Sequence, residues 1–337
     1  MKLSGLAALA ATLLTLGLLV AGAGVLLLVL PGSDDAAPVR FCIAPGERFA
    51  AVSERLAACN LIPALAPLAL WARLTGSDRQ IQAGCYDLSP AASPLEVLAT
   101  LCQGRVVLAR VTLPEGLTAW QTLEVCAGEL DVPHAELQAC ARDEAWLARQ
   151  RLPETGVEGY LFPETYHFAP GVGAVEVLDA LVGEFWRRFD MRRQARAVEI
   201  GWSVARVVTL ASIIEAEVTD PAERRRVAAV YHNRLAAGWR LEADPTVAYA
   251  VRRPGRRLTR ADLAVDSPYN TYRHYGLPPG PICSPGLASL DAALWPLENC
   301  RDRFFVARGD GTHVFSSTLE AHRRAVREMR RRRPSPR

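Results

Sequence analysis

The chain opens with an unbroken apolar stretch. Residues 3 to 30 carry no charged side chain, and their length exceeds the roughly 20 residues that a helix needs to cross a bilayer. Lys2 precedes the stretch while Asp34 and Asp35 follow it, which predicts a cytoplasmic N-terminus and places the rest of the chain outside. A cleaved signal peptide is the alternative, because residues 21 to 23 resemble a cleavage site. The apolar run continues beyond that site, which favours a retained anchor.

Alternating and helical patterns then predict a small unit. Two segments, RFCI and AGCYDL, alternate as strands do, and each precedes a stretch with helical spacing. Ser93, Pro94 and Glu96 form the signature of a capping box at the start of the second helix. The predicted order is strand, helix, strand, helix. A unit of this size has little room for a catalytic cleft.

The rest of the chain has mostly helical spacing. We expect helices near residues 118–128, 134–148, 174–190 and 203–217. A further helix should begin with Asp220 as N-cap and a capping box through Glu223, and should end before Gly238. The pattern predicts an α+β fold, divided into a cytoplasmic start and transmembrane anchor (1–33), a small unit (38–105), a larger domain (106–325) and a frayed basic tail (326–337).

Composition narrows the classes of function. The formal net charge of only +3 over 337 residues gives no general reason to expect binding to nucleic acid. All eight cysteines follow the apolar stretch, which suits an oxidising compartment with disulfides. Cys283 and Cys300 are the best local candidates for a pair, and eight buried free thiols are the alternative. No cysteine and histidine cluster has zinc spacing, so we expect no metal site.

Known catalytic motifs are missing from the sequence. It contains no nucleophile elbow, no Ser-x-x-Lys, no His-Glu-x-x-His and no nucleotide-binding glycine loop. Serine hydrolases, zinc peptidases and nucleotide enzymes therefore become poor hypotheses, and no cofactor is expected. Carboxylates are the remaining candidates for catalysis.

Two glutamates follow an apolar run in the segment ASIIEAEVTD. Glu215 and Glu217 are two positions apart, about 200° around a helix, so at most one should face a substrate. Apolar surroundings raise the pKa of a carboxylic acid, which lets it donate a proton near neutral pH. The alternative is a carboxylate that pairs with an arginine of the segment 224–226.

Aromatic loops could form a sugar-binding groove. The segment DSPYNTYRHYGLPPGPICSPG combines tyrosines with polar side chains, as a sugar ring requires, although a purely structural loop is the alternative. Residues 156–168, which include Glu158 and Glu164, also have the composition of a loop near a site.

Seven ordered blocks resemble the endolytic murein transglycosylases of the YceG-like type. They are VTLPEGLT, EGYLFPETY, LASIIEAE, VYHNRL, RLEADPTVAY, YNTYRHYGLPPGPI and the Pro-Gly at 285–286. The resemblance implies a LysM-like small unit and identifies Glu215 as the catalytic acid. Ala216 stands where a basic residue is common in the family, and Glu242 stands where glutamine is usual, so Glu242 adds a carboxylate near the implied site. Implied contacts to the glycan come from Glu217, Asn233, Glu242, Asp244, Tyr160, Tyr269, Asn270, Thr271 and Tyr272.

The resemblance implies a lyase that acts on peptidoglycan. The enzyme would cleave the β-1,4 bond between N-acetylmuramic acid and N-acetylglucosamine, leave 1,6-anhydro ends and so limit strand length. It would need no cofactor, and it would sit in the cytoplasmic membrane near peptidoglycan synthases. Two alternatives are open: a lysozyme-type hydrolase that pairs Glu215 with Asp244 or Glu242, and an anchored glycan-binding scaffold without activity.

Overall fold

The fold is described from a computed structural model that covers residues 2–31, 37–253 and 258–332. Helices dominate, and three two-stranded sheets accompany them within the described part of the chain. This arrangement confirms the predicted α+β class. Most of the segment between the predicted anchor and the predicted small unit lies outside the described residues.

Helix α1 (Lys2–Val29) corresponds to the apolar stretch. Its window Thr12–Val29 is long and apolar enough to cross a membrane, a property shared by membrane anchors and signal sequences. The predicted helix is therefore confirmed.

Contacts divide the chain into two compact units, of which the first comprises residues 1–109 and 167–170. After α1 it contains β1 (Val39–Ile43), α2 (Phe49–Ala58), α3 (Leu65–Thr75), β2 (Gly84–Leu88) and α4 (Pro94–Gln103). The predicted order lacked α3, so it was incomplete. That helix is apolar over most of its length and begins without a side-chain cap, which left no clear start signal in the sequence. The capping box of Ser93 and Glu96 is confirmed.

The disulfide of the structure joins two strands. In the antiparallel pair of β1 and β2, Cys42 lies opposite Cys85, and the two are bonded. The prediction of at least one disulfide is confirmed, but the proposed pair was wrong because Cys283 and Cys300 are free thiols. Cys283 instead donates its S–H to the Ser212 carbonyl. Strand register, and not spacing along the chain, decides which cysteines meet.

The second unit comprises residues 110–166 and 171–337. In chain order its elements are β3 (Ala109–Thr112), α5 (Ala119–Glu129), α6 (His134–Cys140), α7 (Glu144–Arg149), β4 (Thr165–Phe168), α8 (Ala174–Arg188), α9 (Met191–Glu199), α10 (Val204–Glu217), α11 (Arg224–Ala236), α12 (Asp244–Ala250), α13 (Arg260–Leu263), α14 (Leu287–Leu294), β5 (Phe304–Ala307), β6 (His313–Ser316) and α15 (Leu319–Arg332). Strand β3 pairs with β4, and these two strands cross the boundary, since Ala109 of β3 and residues 167–168 of β4 belong to the first unit. Strand β5 pairs antiparallel with β6.

Local details depart from the predicted pattern at three places. The helix predicted over 134–148 is two helices, because the Asp143 carboxylate accepts from the Trp146 N–H and starts a new one. The capping box at Glu223 does not form, since that carboxylate accepts from the N–H and ring of His313 on β6. The basic tail predicted from residue 326 begins inside α15, so its first part is helical.

Helix α10 positions the site. Every residue from Val207 to Ile214 is buried, since α14, α11, α12 and α9 pack around the helix. Ser203 caps its start by accepting from the Arg206 N–H. The helix ends where Val218 adopts an extended conformation. Glu215 and Glu217 therefore lie in the last turn, where the buried helix emerges from the core.

Candidate functional site

The two glutamates at the end of α10 have different partners, as their predicted angular separation requires. Glu215 accepts from the Arg224 guanidinium at 3.2 Å and from the Gly286 backbone N–H at 3.0 Å. Only 7% of the Glu215 side chain is exposed. Both of its oxygens thus have donors inside the protein, and one donor is an arginine of the 224–226 segment.

Glu215 belongs to a cluster that joins four segments of the chain. Glu115 lies 3.7 Å from the same Arg224 guanidinium, and burial together with the Glu215 charge raises the pKa of Glu115. A Cβ atom at Gly286 would overlap the Glu115 carboxylate, so a larger residue there would displace the Glu115 side chain. The backbones are also tied, since the Gly116 N–H donates to the Ser284 carbonyl at 2.9 Å. This cluster holds the loop before α14 against the end of α10.

Glu217 lies in a different environment. Like Glu215, Glu217 is intermediate in exposure as a residue, and one of its carboxylate oxygens accepts from the Tyr231 hydroxyl at 3.1 Å. Burial raises the pKa of Glu217 to about 7, and the nearby Asp244 carboxylate adds to the rise while the Tyr231 hydrogen bond opposes it. A large fraction of Glu217 is therefore protonated near neutral pH, so the group can act as an acid.

Polar side chains predicted to bind glycan surround Glu217. The Tyr272 hydroxyl donates to Asp244 at 2.6 Å, and both side chains are accessible to solvent. Glu242 is half exposed, pairs with Arg234 at 3.1 Å and adopts a left-handed φ of 51°. Such backbone strain is often found at functional sites. Asp244, Tyr272 and Glu242 are thus placed where a ligand could reach them together with Glu217.

Four other residues predicted to contact glycan pack or form hydrogen bonds within the protein. Tyr160 is 2% exposed and packs edge-on against Phe185 in the core. Asn270 and Thr271 are also buried, with exposures of 0 and 1%. Asn233 donates its amide to the carbonyls of residues 300 and 302. Tyr160, Asn270 and Thr271 are thus buried, and their direct contact with a glycan stays a prediction.

Thr271 has a clear structural role. Its carbonyl accepts from the Glu242 N–H, and its hydroxyl accepts from the Ala243 N–H and bonds to the Thr246 hydroxyl. Asn270 donates to two carbonyls of its own loop, those of Leu263 and Val265. These bonds hold the tyrosine-rich loop against the start of α12, which brings Tyr272 to Asp244.

A second buried carboxylate lies among aromatic rings. Glu158 accepts from the Ala119 N–H at 2.9 Å and from the Tyr249 hydroxyl at 3.1 Å, and burial raises the pKa of Glu158 to about 7. The Tyr249 ring lies 5.7 Å from Trp120 and 5.0 Å from Tyr269. Sequence reasoning noted Glu158 and Tyr269 but missed the other two aromatics, because nothing local marks them and only the fold brings them together.

Comparison with known proteins gives consistent matches. The sequence profile of the YceG-like family matches residues 41–328. An endolytic murein transglycosylase of Bacillus subtilis (strain 168) is 30% identical over 311 residues, which cover 87% of this chain and 85% of the relative. A protein of the same name from Streptococcus pneumoniae (strain R6) is 26% identical, and the match covers 74% of this chain and 50% of that relative.

A solved structure shows the same fold. The crystal structure of a YceG-like protein from Listeria monocytogenes superposes with a TM-score of 0.60 at 30% identity, over 86% of this chain and 99% of that one. The profile match spans far more than half of the residues. The chain therefore belongs to the YceG-like family.

Proposed function

We propose that this protein is a membrane-anchored endolytic lytic transglycosylase of peptidoglycan. It cleaves the β-1,4 bond between N-acetylmuramic acid and N-acetylglucosamine in nascent strands and so limits their length. The lyase class is supported by relatives named endolytic murein transglycosylase that align over most of the chain. The bond cleaved and the products are our inference from the chemistry of the site.

The observation that carries the proposal is the state of Glu217. A general acid must be protonated near the working pH and must reach the leaving oxygen. Glu217 meets the first requirement with its pKa of about 7, and its place in the last turn of α10, near the exposed Asp244 carboxylate, favours the second. Glu215, the acid expected from the sequence, is enclosed by Arg224 and Gly286. We therefore assign the acid to Glu217 and a positioning role to Glu215.

The reaction needs two proton transfers at Glu217. The protonated carboxyl donates to the glycosidic oxygen as the bond from that oxygen to the muramyl C1 breaks. The C6 hydroxyl oxygen of the same sugar then bonds to C1, and its proton passes to the Glu217 carboxylate, which restores the acid. Water does not enter, and the product is a 1,6-anhydro end. One carboxyl suffices because the substrate supplies the nucleophile, which ordinary glycosidases lack.

Neighbouring groups support this chemistry. The Asp244 carboxylate places negative charge near the carbon that becomes positive in an oxocarbenium-like transition state. Tyr272 donates to Asp244 and offers an aromatic face. We assign glycan binding to this accessible set of Asp244, Tyr272 and Glu242.

Product analysis tests the reaction. Purified full-length protein is incubated with uncrosslinked glycan strands, and mass spectrometry identifies the new ends. Anhydro ends produced by the wild type and lost in Glu217→Gln support the proposal. Reducing ends would indicate the lysozyme-type hydrolase, and tight binding without any cleavage would indicate the scaffold.

We also propose that α1 is retained as a single-pass anchor in the cytoplasmic membrane. Its N-terminus would lie in the cytoplasm, and the remaining residues would face nascent peptidoglycan and its synthases. The support is the apolar window Thr12–Val29 with Lys2 before it. N-terminal sequencing of protein from its own membranes should find the intact start, whereas a mature start near Ala23 would contradict the anchor.

A further inference from the structure

Helix α3 leaves one of its faces uncovered. Leu68 and Ala72 are fully buried in the core of the first unit. On the other side, Leu70, Trp71 and Leu74 are 61, 41 and 76% exposed. Leu74 lies four positions after Leu70 and three after Trp71, so the three side chains form one continuous apolar face. A water-soluble surface rarely presents a Leu-Trp-Leu face of this kind.

This face lies beside α1. A groove of about 580 Å³ runs between the two helices. Every residue that lines it is apolar or glycine: Val20, Ala21, Ala23, Gly24, Val25, Leu27 and Leu28 from α1, and Ala66, Pro67, Leu70, Trp71 and Leu74 from α3. The α1 residues belong to the second half of the window that is long enough to span a membrane.

The position along α1 sets the depth of α3. Residues 20 to 28 cover about 12 Å of helix axis at 1.5 Å per residue. The hydrocarbon core is about 30 Å thick, so these residues lie within one leaflet when Thr12–Val29 spans it. A helix packed beside them lies at the same depth and not in bulk water.

Charged side chains lie around the opposite side of α3. Arg73 lines a separate cavity that also contains Glu47, Arg48, Asp78 and Arg79. The helix therefore separates an apolar groove from a charged cavity, as a helix at a membrane surface does. Trp71 at its edge is of the residue type enriched at such interfaces.

We propose that the face formed by Leu70, Trp71 and Leu74 inserts into the outer leaflet and that a phospholipid acyl chain occupies the groove between α1 and α3. The proposal rests on the retained anchor proposed above. Lipid is the occupant that the position favours, because the groove is continuous with the surface of the span. The first unit is then held against the membrane by two elements, α1 and α3.

Tryptophan quenching tests the insertion. Trp71 is the only tryptophan among residues 1–109, and the other six lie beyond residue 110. The full chain is placed, one copy per disc, in phospholipid nanodiscs whose acyl chains are brominated or plain. Bromine quenches nearby indole emission, and the difference between wild type and Trp71→Phe isolates Trp71. We expect the wild type to lose additional emission, up to about one seventh of the total.

Two variants complete the test. Leu70→Gln/Leu74→Gln should reduce the quenching assigned to Trp71, because its face no longer favours hydrocarbon. Val198→Gln changes an apolar residue that is equally exposed, at 78%, in the second unit and should leave that quenching unchanged. Equal quenching of wild type and Trp71→Phe in chains that remain bound to discs would overturn the proposal for α3 while leaving the anchor intact.

The remaining outcomes separate the other occupants. A chain that fails to float with liposomes would overturn the anchor and the α3 proposal together. Discs loaded with two copies should give the same Trp71 quenching, and a marked fall would indicate a second copy in the groove. In native membranes, a photoreactive residue at position 74 should label phospholipid, whereas a dominant protein adduct would replace lipid by a protein partner.

Discussion

Replacing Glu217 by glutamine should make the protein more stable and much less active. The carboxyl has a pKa of about 7 in the folded protein, compared with an ordinary value of 4.5. This difference corresponds to about 3 kcal/mol of unfolding free energy. Below pH 4.5 the group is protonated in both states and costs nothing. Above pH 7 the group is ionised in both states, and the free energy of unfolding is then lower by the full amount of about 3 kcal/mol.

The free energy of unfolding should therefore fall as pH rises from about 4.5 to 7, in part because of Glu217. Glutamine does not ionise, so Glu217→Gln should match the wild type at pH 4 and exceed it by about 3 kcal/mol at pH 8. Glu158 has a raised pKa as well, but it is present in both proteins and cancels in the difference. Urea unfolding, monitored by tryptophan emission, measures this difference in unfolding free energy, because six of the seven tryptophans lie in the second unit.

Activity should change in the opposite direction. Loss of acid and base assistance should lower the rate of release of anhydro-ended glycan about 100 to 10,000-fold in Glu217→Gln. In the wild type the rate should decline as pH rises above about 7, because Glu217 loses its proton. Near wild-type activity in a folded Glu217→Gln protein would refute the assignment. A Glu217→Gln protein that is less stable than the wild type at pH 8 would also refute the assignment.

Glu215→Gln is the matched control. This change removes one partner of a pair in which the Arg224 side chain is only 14% exposed. Leaving that guanidinium without its carboxylate should destabilise the protein by about 3 kcal/mol at neutral pH. Residual activity per folded molecule should exceed that of Glu217→Gln. If the folded Glu215→Gln protein is instead the inactive one, the acid is Glu215, as first expected from the sequence.

Two further changes test the packing and the disulfide. Gly159→Ala should destabilise the second unit by about 3 kcal/mol or more, because its φ is +85° and a Cβ atom would lie 2.6 Å from Pro281. Gly171→Ala is the control, since its φ is +79° but no neighbour lies within 4 Å of the added Cβ. It should lower the free energy of unfolding by only about 1 to 2 kcal/mol in the same urea assay. Cys42→Ala/Cys85→Ala opens a loop of 43 residues and should cost the first unit about 4 kcal/mol. Calorimetry that shows no change in this double variant would contradict the pairing.

The sequence alone determined features that depend on neighbouring residues. The apolar stretch predicted α1, and the periodicity and caps predicted α8 and α10 to within a few residues. The spacing of Glu215 and Glu217 correctly implied that they face different surroundings. Helix geometry and capping are set by residues within one turn, so these properties can be inferred without a fold.

Only the tertiary structure decided what surrounds each glutamate. Glu215 meets a backbone N–H from Gly286, 71 positions along the chain. Burial of its carboxyl and the nearby Asp244 carboxylate raise the pKa of Glu217, and this is why we propose Glu217 as the acid. The partners of Cys42 and of Glu223 were likewise set by strands that pack from elsewhere in the chain. Burial and charge proximity depend on segments brought together in space, and a pKa is the sum of those effects.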